Sequence, residues 1–305
     1  MSAARGARRS RLSRAGDDPE TPPEFLRRLG LSPRKALGQH FLVDELMLSR
    51  IADACLLGPD DTVIEIGAGP GGLSIELAER AGTLVAVEID EELASLARRQ
   101  LEGRGRACVV AADALGVTPG ELLAECGASA PYVMAGNLPY YITQPLIRRF
   151  LEADEPPERI VVLVQREVAR RIVGGPGKES LLSLSVKTYG RPEALFDVPS
   201  SAFWPAPKVQ SALVRIERLP RPAVDLPPPA LARFFLLLRA GFAEPRKQLH
   251  NGLRSALGLS RDEAQALLRD AAIDPALRAQ HLDLDEWRRL HELTEERWPR
   301  SLDVG

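Results

Sequence analysis

The segment from Thr62 to Gly72 (TVIEIGAGPGG) constrains this chain more than any other. Thr62, Val63, Ile64 and Ile66 are β-branched and read as a short strand. Gly67, Gly69 and Gly72 then form a GxGxxG, whose missing Cβ atoms let the backbone turn sharply into a helix over 73–80. The pattern recurs downstream, with a strand over 84–89, a helix over 91–101, a strand over 107–111 ending at Asp113, and a fourth over 132–135 ending at Asn137. Residues 160–164 and 212–216 read as later strands. Strands alternating with helices at this spacing predict an α/β fold, a mostly parallel sheet covered on both faces, with ligands beyond the carboxyl ends of its strands. Gly67, Glu88, Asp113 and Asn137 all fall at such ends.

A chain of 305 residues can bury one full core and a smaller second one. Residues 1–23 form a tail and linker. The first sixteen carry Arg5, Arg8, Arg9, Arg11 and Arg14 with no acid, and 17–23 are acidic and proline-containing. Three readings of the tail stay open: an organelle transit peptide, a basic arm for phosphates, or a dispensable extension. Regular structure is expected from Phe25, Leu26 and Leu29, at helical spacing, and a helix over 43–57 stops at Gly58-Pro59. Residues 218–229 contain five prolines and read as a linker. Beyond it the pattern is helical only, over 229–242, 260–270 (Ser260 with Glu263 making a capping box) and 285–297. The expected division is a larger α/β domain over 24–220 and an all-α domain over 221–305.

No run of about eighteen uncharged apolar residues exists, so no membrane span is expected. Cys55, Cys108 and Cys126 show no CxxC pairing and the histidines no ligand spacing, so neither metal nor disulfide is expected. The cysteines read as small buried side chains in a reducing cytosol. A net charge of −2 does not mark a nucleic-acid binder, but its distribution leaves basic clusters at Arg148-Arg149, Arg166/Arg170/Arg171 and Arg246-Lys247.

Taken alone the glycine motif fits dinucleotides equally well. Glu88, about twenty residues on, suits the ribose hydroxyls of either cofactor class. Glu65, two residues before the first glycine, favours a sulfonium and an ammonium over a pyrophosphate. Asp113 can accept from an adenine amino group. Together these point to S-adenosyl-L-methionine.

Asn137-Leu138-Pro139-Tyr140 follows the fourth strand. Adenine N6 is a poor nucleophile because its lone pair is delocalised into the ring. The Asn137 side-chain oxygen and the Leu138 carbonyl can each accept one N6 hydrogen, which draws the nitrogen towards tetrahedral geometry. Pro139 stiffens the turn, and Tyr140 offers a stacking face worth about 1–3 kcal/mol. Transfer is then an in-line displacement driven largely by positioning, and N6 loses its proton after alkylation. A base within a helix must first be flipped out.

These motifs resemble the ribosomal RNA adenine N6,N6-dimethyltransferases of the KsgA type, acting on small-subunit rRNA. The matching segments are 35–42 (KALGQHFL), 63–72 (VIEIGAGPGG), 137–140 (NLPY), 203–211 (FWPAPKVQS) and 246–251 (RKQLHN), in the family's order. The resemblance implies a Rossmann-like class I methyltransferase domain with a helical RNA- or ribosome-binding domain. It implies dimethylation of two neighbouring adenines in a hairpin near the 3′ end of 16S-type rRNA, on an immature small subunit, by a cytoplasmic monomer. Cofactor contacts then fall on His40, Leu42, Gly67, Gly69, Glu88, Asp113 and Asn137, and Phe203 sandwiches the base opposite Tyr140. Arg246, Lys247 and Arg254, with Lys208, are the expected RNA contacts.

The chain departs from the family at His40, where asparagine is usual, at Ser180–Ser183, where a Tyr-Gly pair is usual, and at Tyr141. A neutral imidazole at 40 can still hydrogen-bond to the cofactor's carboxylate end. Two other readings are a 23S-type methyltransferase of the macrolide-resistance kind and a non-catalytic assembly or transcription factor. Leu138 and the longer helical tail speak against the first, and the intact glycines and Asn137 against the second.

Overall fold

The computed structural model describes residues 39–139 and 142–298. The basic tail, the helical spacing at Phe25, Leu26 and Leu29, and Tyr140 with Tyr141 lie outside the described residues.

Strand β1 (Phe41–Leu42) leads into helix α1 (Glu45–Ala54), opened by Asp44, whose carboxylate accepts from the Met47 N–H at 3.0 Å. The alternating core follows: β2 (Thr62–Ile66), α2 (Gly72–Ala78), β3 (Thr83–Glu88), α3 (Glu91–Leu101), β4 (Arg106–Ala111), α4 (Pro119–Glu125), β5 (Tyr132–Asn137), α5 (Thr143–Leu151) and β6 (Arg159–Gln165). Then come α6 (Arg166–Val173), α7 (Leu181–Tyr189), β7 (Gly190–Val198), β8 (Phe203–Trp204) and β9 (Ser211–Arg218). Helix α7 carries no helical period to read. Leu182, Ser183, Leu184, Val186 and Thr188 are buried, on more than one face, and a capping box between Ser180 and Ser183 starts the helix.

Seven strands form one sheet in the order β4-β3-β2-β5-β6-β9-β7. The run β4-β3-β2-β5-β6 is parallel throughout, as the alternating pattern predicts. Strands buried on both faces read as unbroken apolar runs, and every residue of β2 is buried, Glu65 included. Strand order reverses between β2 and β5, which makes their carboxyl ends the crevice where such sheets hold ligands. Gly136 permits this close pairing, because a Cβ there would lie 2.3 Å from the Ile66 carbonyl oxygen.

The described chain forms two compact units, residues 39–166 with 194–215 and residues 167–193 with 216–298. The sequence reading has one boundary near residue 220, whereas the packing groups most of α6, all of α7 and the start of β7 with the C-terminal helices. The first unit is built on Leu48, Ile51, Val63, Leu77, Leu84 and Leu213. The second adds α8 (Pro228–Phe242), α9 (Leu249–Leu257), α10 (Arg261–Asp270) and α11 (Leu284–Arg297). No strand follows Arg218 among the described residues, in keeping with an all-helical end, although α9 has no counterpart in the sequence reading. The Ser260–Glu263 capping box is present, with bonds of 2.8 and 3.2 Å. Phe234, Leu238, Leu253, Leu267, Trp287 and Leu290 fill this second core. Gly252 lets α9 approach α8, since a Cβ would sit 2.4 Å from the Ala240 carbonyl oxygen.

The cysteine expectation needs correction. Cys108 on β4 and Cys126 at the end of α4 form a disulfide, their Cα atoms 5.7 Å apart. Eighteen residues separate them in the chain, and only the return of α4 towards the edge strand brings them within bridging distance. Cys55 matches the expected buried thiol; burial pushes it up to about 12.

Candidate active site

The glycine loop is held from beneath. Gly67 and Ala68 donate to the Val87 carbonyl at 2.8 and 3.2 Å, and Gly69 donates to the Glu88 carboxylate at 2.8 Å. Gly67 and Gly69 have φ of 80° and 54°, in the region where a side chain would be strained. The second Glu88 oxygen accepts from the Asp90 N–H at 3.0 Å. Glu88 is buried, which raises its carboxyl above the ordinary range, and the N–H groups of Asp90 and Gly69 oppose that rise.

Beside the loop stands Asn137. A Cβ on Gly67 would lie 3.4 Å from the Asn137 carbonyl oxygen, so the two strand ends meet. The Asn137 side-chain N–H donates to the His40 carbonyl at 3.0 Å. A carbonyl can only accept, so the amide must turn its NH2 there and its Oδ1 the other way. No donor reaches that Oδ1, or the Leu138 carbonyl, among the described residues. Pro139 fixes the turn, its carbonyl accepting from Ile142 N–H and the Thr143 hydroxyl, both at 3.2 Å.

A cavity open to solvent lies over these ends, where a doubly wound sheet holds its ligands. His40, Gly67, Gly69, Glu88, Asp113 and Asn137 line it, together with Leu138 and Pro139. Two carboxylates and no lysine or arginine line it among the described residues. A pyrophosphate would find no cation there, whereas an adenosyl group bearing a sulfonium and an ammonium suits it. The sequence reading passed over its apolar walls, of which Ile89, 53% exposed beyond a parallel strand, is the clearest signal.

Three expected contacts stand elsewhere. Leu42 is buried in the first core, paired with Phe203 across the β1–β8 ribbon, and does not line the cavity. Phe203 is 4% exposed in the same core and does not line it either. Glu65 also lies below the site: it is 1% exposed and accepts from the Ser74 hydroxyl at 2.5 Å. Burial pushes Glu65 up to about 7, with the Ser74 bond lowering it and Glu88 raising it. Tyr140 lies outside the described residues. His40 donates from Nδ1 to the Pro205 carbonyl at 2.7 Å. A neutral ring so placed keeps only a lone pair at Nε2, so donation to a carboxylate requires the imidazolium.

Arg246, Lys247, Arg254 and Lys208 are exposed, and no side-chain partner engages them among the described residues. Arg148 pairs with Glu152, and Arg166 with Gln210 and Asp197, as ordinary surface cations do. No helix among the described residues is long and apolar enough to cross a membrane, and no cluster of three metal-ligating side chains occurs among them.

The profile of the ribosomal RNA adenine dimethylase family matches residues 30–296. Over 267 residues the chain is 43% identical to the ribosomal RNA small subunit methyltransferase A of Dehalococcoides mccartyi, covering 88% of this chain and 90% of that one. It is 37% identical over 279 residues to the protein of the same name from Desulfitobacterium hafniense, covering 90% and 97%. Among solved structures, the 23S rRNA methyltransferase ErmE superposes with a TM-score of 0.66 at 31% identity, over 83% of this chain and 98% of that one. A dimethyladenosine transferase from Plasmodium falciparum shares the fold, with a TM-score of 0.71 at 23% identity over 84% and 98%.

Proposed function

Because the chain belongs to the ribosomal RNA adenine dimethylase family, we propose that it is the small-subunit enzyme of that family, dimethylating two neighbouring adenines in a hairpin near the 3′ end of 16S-type rRNA. The donor in this reading is S-adenosyl-L-methionine, and the substrate is an immature small subunit met by a monomeric protein in the cytoplasm. One observation carries the chemistry: Asn137 Oδ1 and the Leu138 carbonyl, which no donor among the described residues reaches, stand beside a cavity lined by two carboxylates and, among the described residues, by no lysine or arginine.

When bound, the cofactor supplies a methyl group on a positively charged sulfur. The rest is done by this chain's own groups. Glu88 holds the loop through Gly69 and keeps lone pairs for ribose hydroxyls, and Asp113 at the cavity rim keeps an oxygen for the adenine amine while the other accepts from the Leu115 N–H at 2.9 Å. Asn137 and Leu138 accept the two N6 hydrogens of the target base and turn its lone pair towards the methyl group. Pro139 holds that carbonyl in place, so both acceptors stand preorganised for the amine. The stacking roles of Tyr140 and Phe203 and the cofactor contact of Leu42 belong to this proposal; for Phe203 they need its side chain to leave the core on substrate binding. So do phosphate contacts by Arg246, Lys247, Arg254 and Lys208, and a functional division into a methyltransferase domain over 24–220 and an RNA- or ribosome-binding domain over 221–305.

The test is incubation with immature small subunits, immature large subunits and methyl-labelled cofactor, followed by nucleoside analysis. Dimethyladenosine confined to small-subunit rRNA is the expected result. Label found only in large-subunit rRNA assigns the chain to the ErmE-like activity, and label in neither leaves a binding role on the same fold.

A further inference from the structure

The start of the proline-rich linker lines a cleft in the second unit. Its walls carry Lys187 from α7, Arg191 from the first residues of β7, and Arg221 from the linker, with Pro192, Leu219 and Pro220 as apolar lining. Among the described residues no carboxylate lines it; Glu193 and Glu217, on the neighbouring strands, stand outside its lining. Lys187 is committed to the buried carboxylate of Glu179 at 2.5 Å. Arg191 and Arg221 are exposed, and neither engages a side-chain partner among the described residues.

The frame around these two arginines is fixed. The Leu219 N–H donates to the Tyr189 carbonyl at 2.8 Å and the Ala223 N–H to the Thr188 carbonyl at 2.7 Å, so the linker is tied to the end of α7 on both sides of Arg221. Gly190 allows this approach, since a Cβ would lie 2.6 Å from the Ile216 side chain. Pro192, Pro220 and Pro222 hold the backbone beside each arginine, so little further order is lost when the guanidinium groups take a ligand. Exposed arginines lining one shallow cleft, with no side-chain partner and no acid in its lining among the described residues, match a polyanion with regularly spaced charges.

We propose that this cleft is a separate contact for the RNA backbone, with Arg191 and Arg221 each taking a phosphate. The inference rests on the reading of the chain as an RNA-modifying enzyme and adds a surface outside the Arg246–Arg254 cluster. Each phosphate neutralised steepens the decline of log affinity with log salt by about 0.7 for single strands and 0.9 for duplexes, so losing a contact makes the slope shallower by that amount.

The experiment titrates the full chain and an Arg191→Gln/Arg221→Gln variant with a small-subunit rRNA fragment across a range of salt. The variant slope is expected to be shallower by about 1.4–1.8, with affinity loss at physiological salt. Ala223→Glu, which adds a carboxylate to the cleft and removes nothing, is expected to weaken binding as well. Arg261→Gln/Arg269→Gln, at two other exposed arginines on α10, sets the effect of losing the same net charge elsewhere. A slope equal to that of the parent, or a flattening no larger than that of this control, overturns the inference. Methyl transfer at saturating RNA is measured in parallel: a parent that methylates while the slope stays unchanged refutes the cleft alone, and a parent that methylates no RNA refutes the functional reading itself.

Discussion

The side-chain amide of Asn137 is anchored to the main-chain carbonyl of His40, ninety-seven residues away, at 3.0 Å. That bond sets the amide's orientation before any substrate arrives, and so fixes which atom can face a base. Asn137→Ala is expected to lower methyl transfer by about a hundredfold or more, as loss of a preorganised hydrogen bond to a reacting group does. Cofactor binding, followed by calorimetry, should remain measurable. Asn137→Asp keeps an acceptor but sets a carboxylate against the His40 carbonyl, and is expected to be nearly as poor. Transfer at parental rates by either variant would remove the amide from the mechanism.

Glu65 makes stability depend on pH. Its carboxyl is near 4.5 when unfolded and pushed up to about 7 by burial in the fold, so the folded chain holds the proton more tightly. The stabilisation is complete below about pH 4.5 and declines as pH rises towards 7, by up to about 3 kcal/mol in all. Glu65→Gln keeps an acceptor for Ser74 without the ionisation. Denaturant melts should show the variant gaining on the parent between those pH values and staying level with it below them; parallel curves throughout would contradict the assignment.

Phe203 separates packing from stacking. Phe203→Ala should cost about 3–5 kcal/mol, because the ring fills the first core. Phe203→Leu keeps most of the volume and should cost less than about 1.5 kcal/mol. If the ring also sandwiches the base, Phe203→Leu will turn over slowly while holding cofactor normally. Unchanged turnover would leave it a core residue only.

The thiol count distinguishes the bridged pair from the buried cysteine. The folded chain should give no fast reaction with a thiol reagent, since Cys108 and Cys126 are bonded and Cys55 is buried with its thiol pushed up to about 12. After reduction without denaturant, two thiols should react. Loss of the bridge should lower stability by about 3 kcal/mol, the loop-closure value for this span. Fast reaction before reduction would disprove the pairing.

His291 is 1% exposed, lies edge-on to Phe234, and among the described residues has no hydrogen-bond partner at either ring nitrogen. Burial holds its imidazole below the ordinary range, with Glu295 opposing and Arg233 assisting. The unfolded chain therefore binds a proton the folded one resists. The fold keeps its full stability above about pH 6.5 and loses some as pH falls below it. His291→Leu should remove that acid-side decline and add about 1–2 kcal/mol at neutral pH, by removing unsatisfied nitrogens. A melting temperature lower than the parent's at every pH would argue that the ring has a partner after all.

Local chemistry made the central strands readable. A β-branched run ending in glycines specifies β2 and its loop whatever surrounds them, and Glu88, Asp113 and Asn137 follow as strand ends once the parallel pattern is seen. The capping residues Ser260 and Glu263 act within one helical turn, so α10 was legible too. Helix α7 was not, because its buried residues follow no single apolar stripe and lie on more than one face, packed against the C-terminal helices.

What the sequence determined by itself was six of the sheet's seven strands, the glycine loop, and the Asn137–Pro139 turn after β5, since each depends on residues a few positions apart. Tertiary structure alone decided that Asn137 leans on His40, that Cys108 meets Cys126, that Glu65 and Phe203 are buried away from the cavity, and that Arg191 and Arg221 share a cleft. These are encounters between distant parts of the chain, fixed by how complementary surfaces pack rather than by any local preference of the backbone.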